Sequence, residues 1–255
     1  MRRLAIVAAL LLAACGSPTP EGSARSGREV VVAADAAPGS VAESNWRRFA
    51  NNVGVWAPGV SLTLRLGTEA GPPAARVTDL EQGAVQVASL PPDMATELVP
   101  ELAILSAPGL FGSQDEADHI LDTILLEPYR RLFMNKGLVL LDWIDDGWVG
   151  PPAEHVYATG VIVANKGWFE RLTPHDRDVF EQAYGSAGQA RADRRAAEAG
   201  LGAAVTETPA PWSEAIREAH RAIVIRAGGR GQEIYDLAVS AKRDFAAGDK
   251  AAQGS

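Results

Sequence analysis

The chain has 255 residues, a formal net charge of -8 and 47% hydrophobic residues, as expected for a folded globular protein with a sizeable core. An acidic chain without a long basic run is a poor nucleic-acid binder, because phosphate neutralisation requires clustered Lys and Arg. Cys15 is the one cysteine, which excludes an intramolecular disulfide and a zinc site built from cysteines.

The first residues have the pattern of a bacterial secretory signal. Arg2 and Arg3 form a positive n-region, and the apolar run at 4–14 is shorter than the roughly 20 residues that a membrane-spanning helix needs. The run ends in LAACG at 12–16, which resembles the lipobox of bacterial lipoproteins. We predict a signal peptide at 1–14, lipidation of Cys15 and a flexible tether over 15–28. The alternative is a plain signal peptide with a chance cysteine.

Sorting of such a lipoprotein follows from the residue after the cysteine. Gly16 is not the aspartate that, in the familiar sorting rule, retains lipoproteins at the inner membrane. The outer membrane is therefore a possible destination. In either membrane the predicted protein faces the periplasm.

The first folded segment alternates strands and helices. EVVVAA at 29–34 predicts a buried strand, and Ser40 is a candidate N-cap for a helix that Pro58-Gly59 ends. SLTLRL at 61–66 predicts a second strand, a helix follows from Pro72-Pro73 to Leu80, and residues 85–89 predict a third strand. The β-α-β-α-β order predicts a mostly parallel sheet with crossover helices.

The remainder of the chain is richer in helix. Ser113 and Glu116 form a capping box, and the helix that they start is predicted to break near Pro128. A strand at 138–143 precedes a predicted turn, Asp145-Asp146-Gly147, and a return strand covers 156–164. Thr173 caps a helix predicted to reach about residue 199, followed by a short strand at 203–206. Helices at about 211–227 and 232–246 complete the fold, with a disordered tail at 247–255.

Catalytic and metal-binding motifs are absent from the sequence. It contains no nucleophile elbow, no phosphate-binding P-loop, no dinucleotide-binding glycine motif and no zinc-protease motif. The four histidines show no ligand spacing: His119, His155, His175 and His220. The GGRG segment at 228–231 joins two helices, so an interhelical turn is favoured over a phosphate loop. We therefore expect no enzyme activity, no cofactor and no metal.

Acidic and aromatic residues crowd the end of the strand at 138–143. Asp142, Asp145 and Asp146 could form a cation site or an acid–base pair, but a solvated turn is the favoured interpretation, since no calcium-loop spacing follows. Trp143 and Trp148 flank the predicted turn, where ligands of open α/β sheets bind. The other tryptophans are predicted to lie in the core: Trp46, Trp56, Trp168 and Trp212.

Several segments in this order resemble one family. They are VQVAS at 85–89, LSAPGLFGSQDEADHILD at 105–122, NKGLVLLDWIDDG at 135–147 and YATGVIVANKGWFERLTPHDRDVFEQA at 157–183. Together they resemble the DctP-like solute-binding proteins of TRAP transporters, whose Pro-x-Leu-Phe motif corresponds to Pro108-Gly109-Leu110-Phe111. The resemblance covers about 29–245 and implies a periplasmic-binding-protein-like α/β fold.

One departure from the family is large. In the family the strand before the Asp-Gly turn leads into a second lobe, and arginines there clamp the carboxylate of organic-acid solutes. Here one arginine position is Val149, the other lies in absent sequence, and the chain returns at once through Gly150-Pro151-Pro152. The resemblance thus implies that the second lobe is largely deleted. We divide the folded part into a lobe at 29–150 and, at 151–246, a return strand and helices completing it.

Two functions of different class follow from this sequence. The first is a lipid-anchored extracytoplasmic protein that binds a small solute and works with TRAP membrane subunits. Its predicted ligand surface consists of Asp35, Ser89, Phe111 and Trp148, which favours a neutral or cationic apolar solute. The second is a structural or assembly lipoprotein of the envelope that has lost solute binding, with self-association through the former cleft wall. In the alternative without a ligand surface, Phe111 belongs to the core and Trp148 covers the site of the deletion.

Overall fold

The structure is a computed structural model that describes residues 28–149, 156–184, 192–193, 196 and 212–253. The predicted signal peptide, Cys15, nearly all of the predicted tether and the predicted strand at 203–206 lie outside these residues. No helix in the described ranges is long and apolar enough to cross a membrane.

Five strands form one sheet in the spatial order β2-β1-β3-β5-β4. The strands are β1 (Arg28–Ala34), β2 (Val60–Leu66), β3 (Val87–Leu90), β4 (Leu138–Val149) and β5 (Val156–Asn165). β1 pairs in parallel with β2 and β3, whereas β5 is antiparallel to both β3 and β4. β1 to β4 therefore run in the same direction, and their carboxyl ends lie at one edge of the sheet.

Helices follow most of the strands. They are α1 (Val41–Trp56), α2 (Pro73–Gln82), α3 (Pro92–Leu98), α4 (Gln114–Ile120), α5 (Leu126–Met134), α6 (Lys166–Glu170), α7 (Pro174–Ala183), α8 (Glu214–Ala227) and α9 (Gly231–Gln253). The N-caps predicted from the sequence are confirmed at three helices, since the hydroxyls of Ser40, Ser113 and Thr173 accept the backbone N–H three residues on.

The sheet separates two hydrophobic clusters, and this gives three layers. On one face, Val30, Val32 and Ile162 pack against aromatic side chains of α1 and α7, including Trp46 and Phe180. The opposite face packs against α2 to α5, α8 and α9. Because β1 and β3 are covered on both faces, apolar residues follow one another without alternation at Val30–Ala34 of β1, and all four residues of β3 are buried. The α/β class predicted from the sequence is confirmed.

The sheet is nevertheless mixed rather than mostly parallel. The β-α-β-α-β order correctly predicts the parallel pairs of β1, but β5 returns between β3 and β4 and adds two antiparallel pairs. A return strand that follows β4 after a short connection can pair with it only in the antiparallel sense.

The predicted turn at Asp145-Asp146-Gly147 is wrong, because β4 continues through it to Val149. The ladder between β4 and β5 runs from Leu138 opposite Asn165 to Val149 opposite Val156, with register shifts between Leu140 and Asp142 and between Asp145 and Gly147. A β-bulge lets a strand include an extra, turn-forming residue without ending there. Trp143 is therefore a buried mid-strand residue and does not mark the strand's end.

Three further boundaries differ from the sequence prediction. The helix break expected near Pro128 is a π-turn at Leu121–Leu125, where the Leu121 carbonyl accepts a hydrogen bond from the Trp143 indole at 3.1 Å. α7 itself ends at Ala183, while most of the predicted continuation to about residue 199 lies outside the described residues, and the described residues 192–193 and 196 are helical. α9 continues to Gln253, beyond the helix end predicted near residue 246.

Candidate functional site

The carboxyl edge of the sheet brings together two of the predicted ligand residues. Asp35 directly follows β1 and Ser89 lies in β3, and the Asp35 backbone N–H donates to the Ser89 hydroxyl at 2.9 Å. Ser89 is buried, with 2% of its surface exposed, whereas the Asp35 side chain is 58% exposed. The Ser89 hydroxyl thus positions the Asp35 backbone, and the Asp35 carboxylate is the group that reaches solvent.

A buried arginine holds this carboxylate in place. Arg76 of α2 donates through Nη1 to Asp35 Oδ1 at 2.9 Å and through Nη2 to Asp35 Oδ2, which makes the pair bidentate. Nη1 also donates to the Gly71 carbonyl at 3.1 Å. The Arg76 side chain has no exposed surface, and its Nε lacks a partner within the described chain. Two parallel charge-assisted bonds fix both the position and the plane of the carboxylate.

The loop after β2 closes over the base of the pair. Gly67 has a φ of +57°, and a Cβ there would lie 2.8 Å from the Ala36 carbonyl oxygen. A side chain at this position would push the loop away from Ala36 and from the neighbouring Asp35. The close backbone approach keeps Gly71, which accepts from Arg76, beside the end of β1.

Further acidic groups lie on the helix that starts at this edge. α3 follows β3 through Pro91 and carries Asp93 and Glu97, both exposed. They line a cavity of about 420 Å³ together with Thr96 and Arg226. The volume falls in the range of small-molecule sites. Arg226 offsets part of the negative charge in this cavity, whereas within the described ranges the Asp35 carboxylate pairs with Arg76 beneath it.

Phe111 lies in the core. It is 3% exposed, and its ring meets that of Tyr157 edge-on at a centroid distance of 6.1 Å. The Tyr157 hydroxyl donates to Asp118 Oδ1 at 3.0 Å. This packing matches the core alternative for Phe111.

β4 and β5 extend beyond the rest of the sheet at the carboxyl edge. Leu90, the last residue of β3, and Trp143 of β4 both lie opposite Val161 of β5, yet β4 continues to Val149. The backbone of Trp148 pairs with Tyr157, while the Trp148 side chain lies outside the described part of the structure. Residues 150–155 join the two strands. A domain needs about 50 residues, so this connection is too short to hold a second lobe.

Two other sequence interpretations can be compared with the structure. The GGRG segment is the interhelical turn that was favoured, and the Arg230 N–H donates to the carboxylate of Glu101 at 3.3 Å. In the described ranges no three His, Cys, Asp or Glu side chains lie together as a metal site. Asp142 is buried and its Oδ1 accepts the Trp143 N–H at 2.8 Å, while the side chains of Asp145 and Asp146 lie outside the described part.

The tryptophans predicted to be core divide between interior and surface. Trp46 is buried and Trp168 is half-buried against Phe180. Trp56 is 42% exposed in the last turn of α1. Trp212 is half-buried against His220.

Arg76 is the residue that sequence reasoning missed. It lies four residues before Leu80 on the inner face of α2, at a spacing where an apolar side chain is expected. A charged residue at such a position needs a buried partner, and an aspartate directly after a buried strand is a natural one. The signal was therefore present, although the partner lies 41 positions away.

The three-layer lobe, with β5 inserted antiparallel between β3 and β4, has the fold of the solute-binding proteins of TRAP transporters. A TRAP periplasmic solute-binding protein from Ochrobactrum anthropi superposes with a TM-score of 0.71 at 15% identity, over 86% of this chain and 96% of that chain. The sugar-acid-binding protein of Advenella mimigardefordensis, solved with galactonate, gives 0.67 at 18% identity over 85% and 98%. The ectoine-binding protein of Halomonas elongata gives 0.65 at 14% over 85% and 99%.

These similarities confirm the fold-level resemblance seen in the sequence. No family model matches the chain. An uncharacterised protein of Sinorhizobium fredii, y4mM, is 31% identical over 147 residues. The matched segment is 57% of this chain but only 27% of that relative's length, so this chain spans about a quarter of it. The solved neighbours are binding proteins rather than enzymes.

Proposed function

We propose that this chain is a lipid-anchored, periplasm-facing solute-binding protein that uses one lobe. Its binding surface is the carboxyl edge of the sheet around Asp35. The observation that carries the proposal is the exposed Asp35 carboxylate held by the fully buried Arg76. A carboxylate fixed in position and plane, with one side open to solvent, is preorganised for a ligand, because little rotamer freedom remains to be lost on binding.

The proposed solute is a small cationic or neutral molecule. The carboxylate at this edge would repel organic acids. Both terminal nitrogens of Arg76 already donate hydrogen bonds to Asp35 and Gly71. The family's arginine position after the turn is Val149. Loss of a buried arginine–carboxylate contact costs about 2–5 kcal/mol. We therefore expect no sub-micromolar binding of dicarboxylates, sialic acid or keto acids at this edge, in contrast to the galactonate bound by the Advenella protein.

Anchoring and partners follow from the sequence. Diacylation of Cys15 would attach the chain to a membrane by two acyl chains, which together give stable anchoring. The tether at 15–28 would let the lobe reach TRAP membrane subunits. Without a second lobe to close over it, a bound solute stays open on one side, so we expect weaker affinity than in a two-lobed clamshell.

A titration in tryptophan fluorescence tests this function. The panel contains quaternary ammonium, guanidinium and neutral polyol solutes, and the proteins are wild type, D35A/R76M and D178A. Asp178 is an exposed carboxylate on α7, in the opposite layer, and serves as the matched control. We expect at least one saturable response in wild type and D178A that the double variant loses. If W148F gives the same fluorescence response as wild type, Trp148 is not part of the proposed surface.

A second function, a structural envelope lipoprotein without a solute, is favoured by two observations. Ser89 is committed to the Asp35 backbone and Phe111 to the core, so two of the four predicted contacts are engaged within the fold. If no solute class gives a saturable response in wild type, this function replaces the first. Sedimentation of the mature protein then distinguishes a monomer from a self-associating scaffold.

A further inference from the structure

A second concave site lies far along the chain from Asp35, between α8 and α9. It encloses about 400 Å³, and Trp212, Val224, Ile225 and Tyr235 form its apolar walls. Ile225 is 80% exposed, an unusual position for a large aliphatic side chain. We call this cavity the α8–α9 pocket.

Hydrogen bonds hold the aromatic wall of the pocket, which consists of Trp212, His220 and Tyr235. His220 Nε2 lies 2.8 Å from the Pro108 carbonyl, which can only accept, so this nitrogen carries the proton. His220 Nδ1 then accepts from the Tyr235 hydroxyl at 3.0 Å. The Trp212 indole donates to the Gly109 carbonyl at 2.9 Å and packs edge-on against His220 at 4.5 Å. Flat apolar surfaces held by hydrogen bonds favour a planar ligand.

Positive charge lies on one rim. Arg217 and Arg221 line the pocket and share a single carboxylate, Glu214. Arg217 also donates to the Trp212 carbonyl at 2.6 Å, which joins the rim to the aromatic wall. The two arginines and one glutamate leave one surplus positive charge on the α8 rim, and on the α9 side Asp236 accepts from the pocket-lining Gln232 at 2.9 Å. No bond of the Arg221 guanidinium other than that to Glu214 is seen in the described residues.

We propose that the α8–α9 pocket binds a small planar aromatic carboxylate, with its ring packed on the aromatic wall of Trp212, His220 and Tyr235 and its carboxylate at Arg221. The polar side of the pocket is cationic and its walls are aromatic and aliphatic, so this ligand matches both. A sugar acid lacks the flat apolar body, and an aromatic alcohol lacks the charge. This site is independent of the proposed function at Asp35, whose proposed ligand is cationic or neutral.

Calorimetry with 2-naphthoate and with its neutral analogue 2-naphthalenemethanol tests the proposal on the mature chain. We expect one saturable naphthoate site with sub-millimolar affinity, accompanied by a change in Trp212 fluorescence. R221Q should weaken naphthoate about fivefold, the fold-change that corresponds to an exposed charge pair, and leave the alcohol unchanged. R47Q is the control, since Arg47 is likewise exposed and paired with a glutamate on its own helix.

Three results would overturn the proposal. They are an absence of saturable naphthoate binding in wild type, equal affinity for the alcohol, and equal naphthoate affinity in R221Q and wild type. D35A/R76M should bind naphthoate as wild type does, so failure of the Asp35 site and failure of this one are separable. Because Arg221 is 60% exposed, R221Q does not put folding at risk.

Discussion

The pair formed by Arg76 and Asp35 predicts an asymmetric response to mutation. In D35A the guanidinium, which has no exposed surface, loses both charged partners and keeps only the Gly71 carbonyl. Removing one partner of a fully buried pair costs about 3–5 kcal/mol. Because Asp35 is 58% exposed, water enters the vacated space, and we expect about 3 kcal/mol, the lower end of that range.

The reverse substitution should be milder. In R76M the carboxylate that remains is more than half exposed and stays hydrated, while the methionine fills the volume of the arginine stem. We expect a loss of about 1 kcal/mol, as for a hydrogen bond whose remaining partner is solvated. In D35A/R76M no charge is left buried, so the double variant should be more stable than D35A by about 2 kcal/mol.

Urea unfolding of wild type, the two single variants and the double variant measures these differences. Equal m-values across the set are required for the comparison. If D35A is no less stable than R76M, or if the double variant loses the sum of the two single losses, Arg76 does not depend on Asp35 for its burial.

Three further predictions concern packing, pH and anchoring. G160A should lower the free energy of unfolding by about 1–3 kcal/mol, because the new Cβ would lie 2.8 Å from the Leu90 carbonyl oxygen. G54A, where the new Cβ meets no atom within 4 Å, should raise it by up to about 1 kcal/mol. Equal effects of the two substitutions in thermal unfolding would contradict this packing. Burial lowers the pKa of His220, with a hydrogen bond to a backbone carbonyl opposing it, so the unfolded chain binds the proton more readily. The free energy of unfolding should therefore fall as pH drops below about 6.5, and H220Q should show a smaller dependence of this free energy on pH. An unchanged pH dependence in H220Q would contradict this role of His220. C15S should move the protein from the membrane to the soluble fraction, and unchanged membrane association would exclude lipidation.

The helix starts and strands that depend on neighbouring residues were predicted from the sequence. The caps at Ser40, Ser113 and Thr173 depend on one side chain and a backbone N–H three residues away. The β-branched run of β1 marks a strand buried on both faces. Such features need no knowledge of distant partners, and the structure confirms them.

Features that depend on distant pairing were not predictable from the sequence. Asp145-Asp146-Gly147 has turn chemistry, yet pairing with β5 keeps it within a strand. The antiparallel insertion of β5 comes from topology rather than from any residue of that strand. At the candidate site, the sequence indicated Asp35 and Ser89 by their place after β1 and in β3, but Arg76 joins them only through folding.

The most direct test of the one-lobed binding surface is to identify what the protein carries from its own cell envelope. Mature wild type, D178A and D35A/R76M are purified under native conditions, and small molecules released by denaturation are identified and quantified by mass spectrometry. A cationic or neutral molecule should accompany wild type and D178A and be depleted from D35A/R76M. A dicarboxylate or sugar acid in its place, or the same molecule at equal amounts in D35A/R76M, would contradict binding at the Asp35 edge.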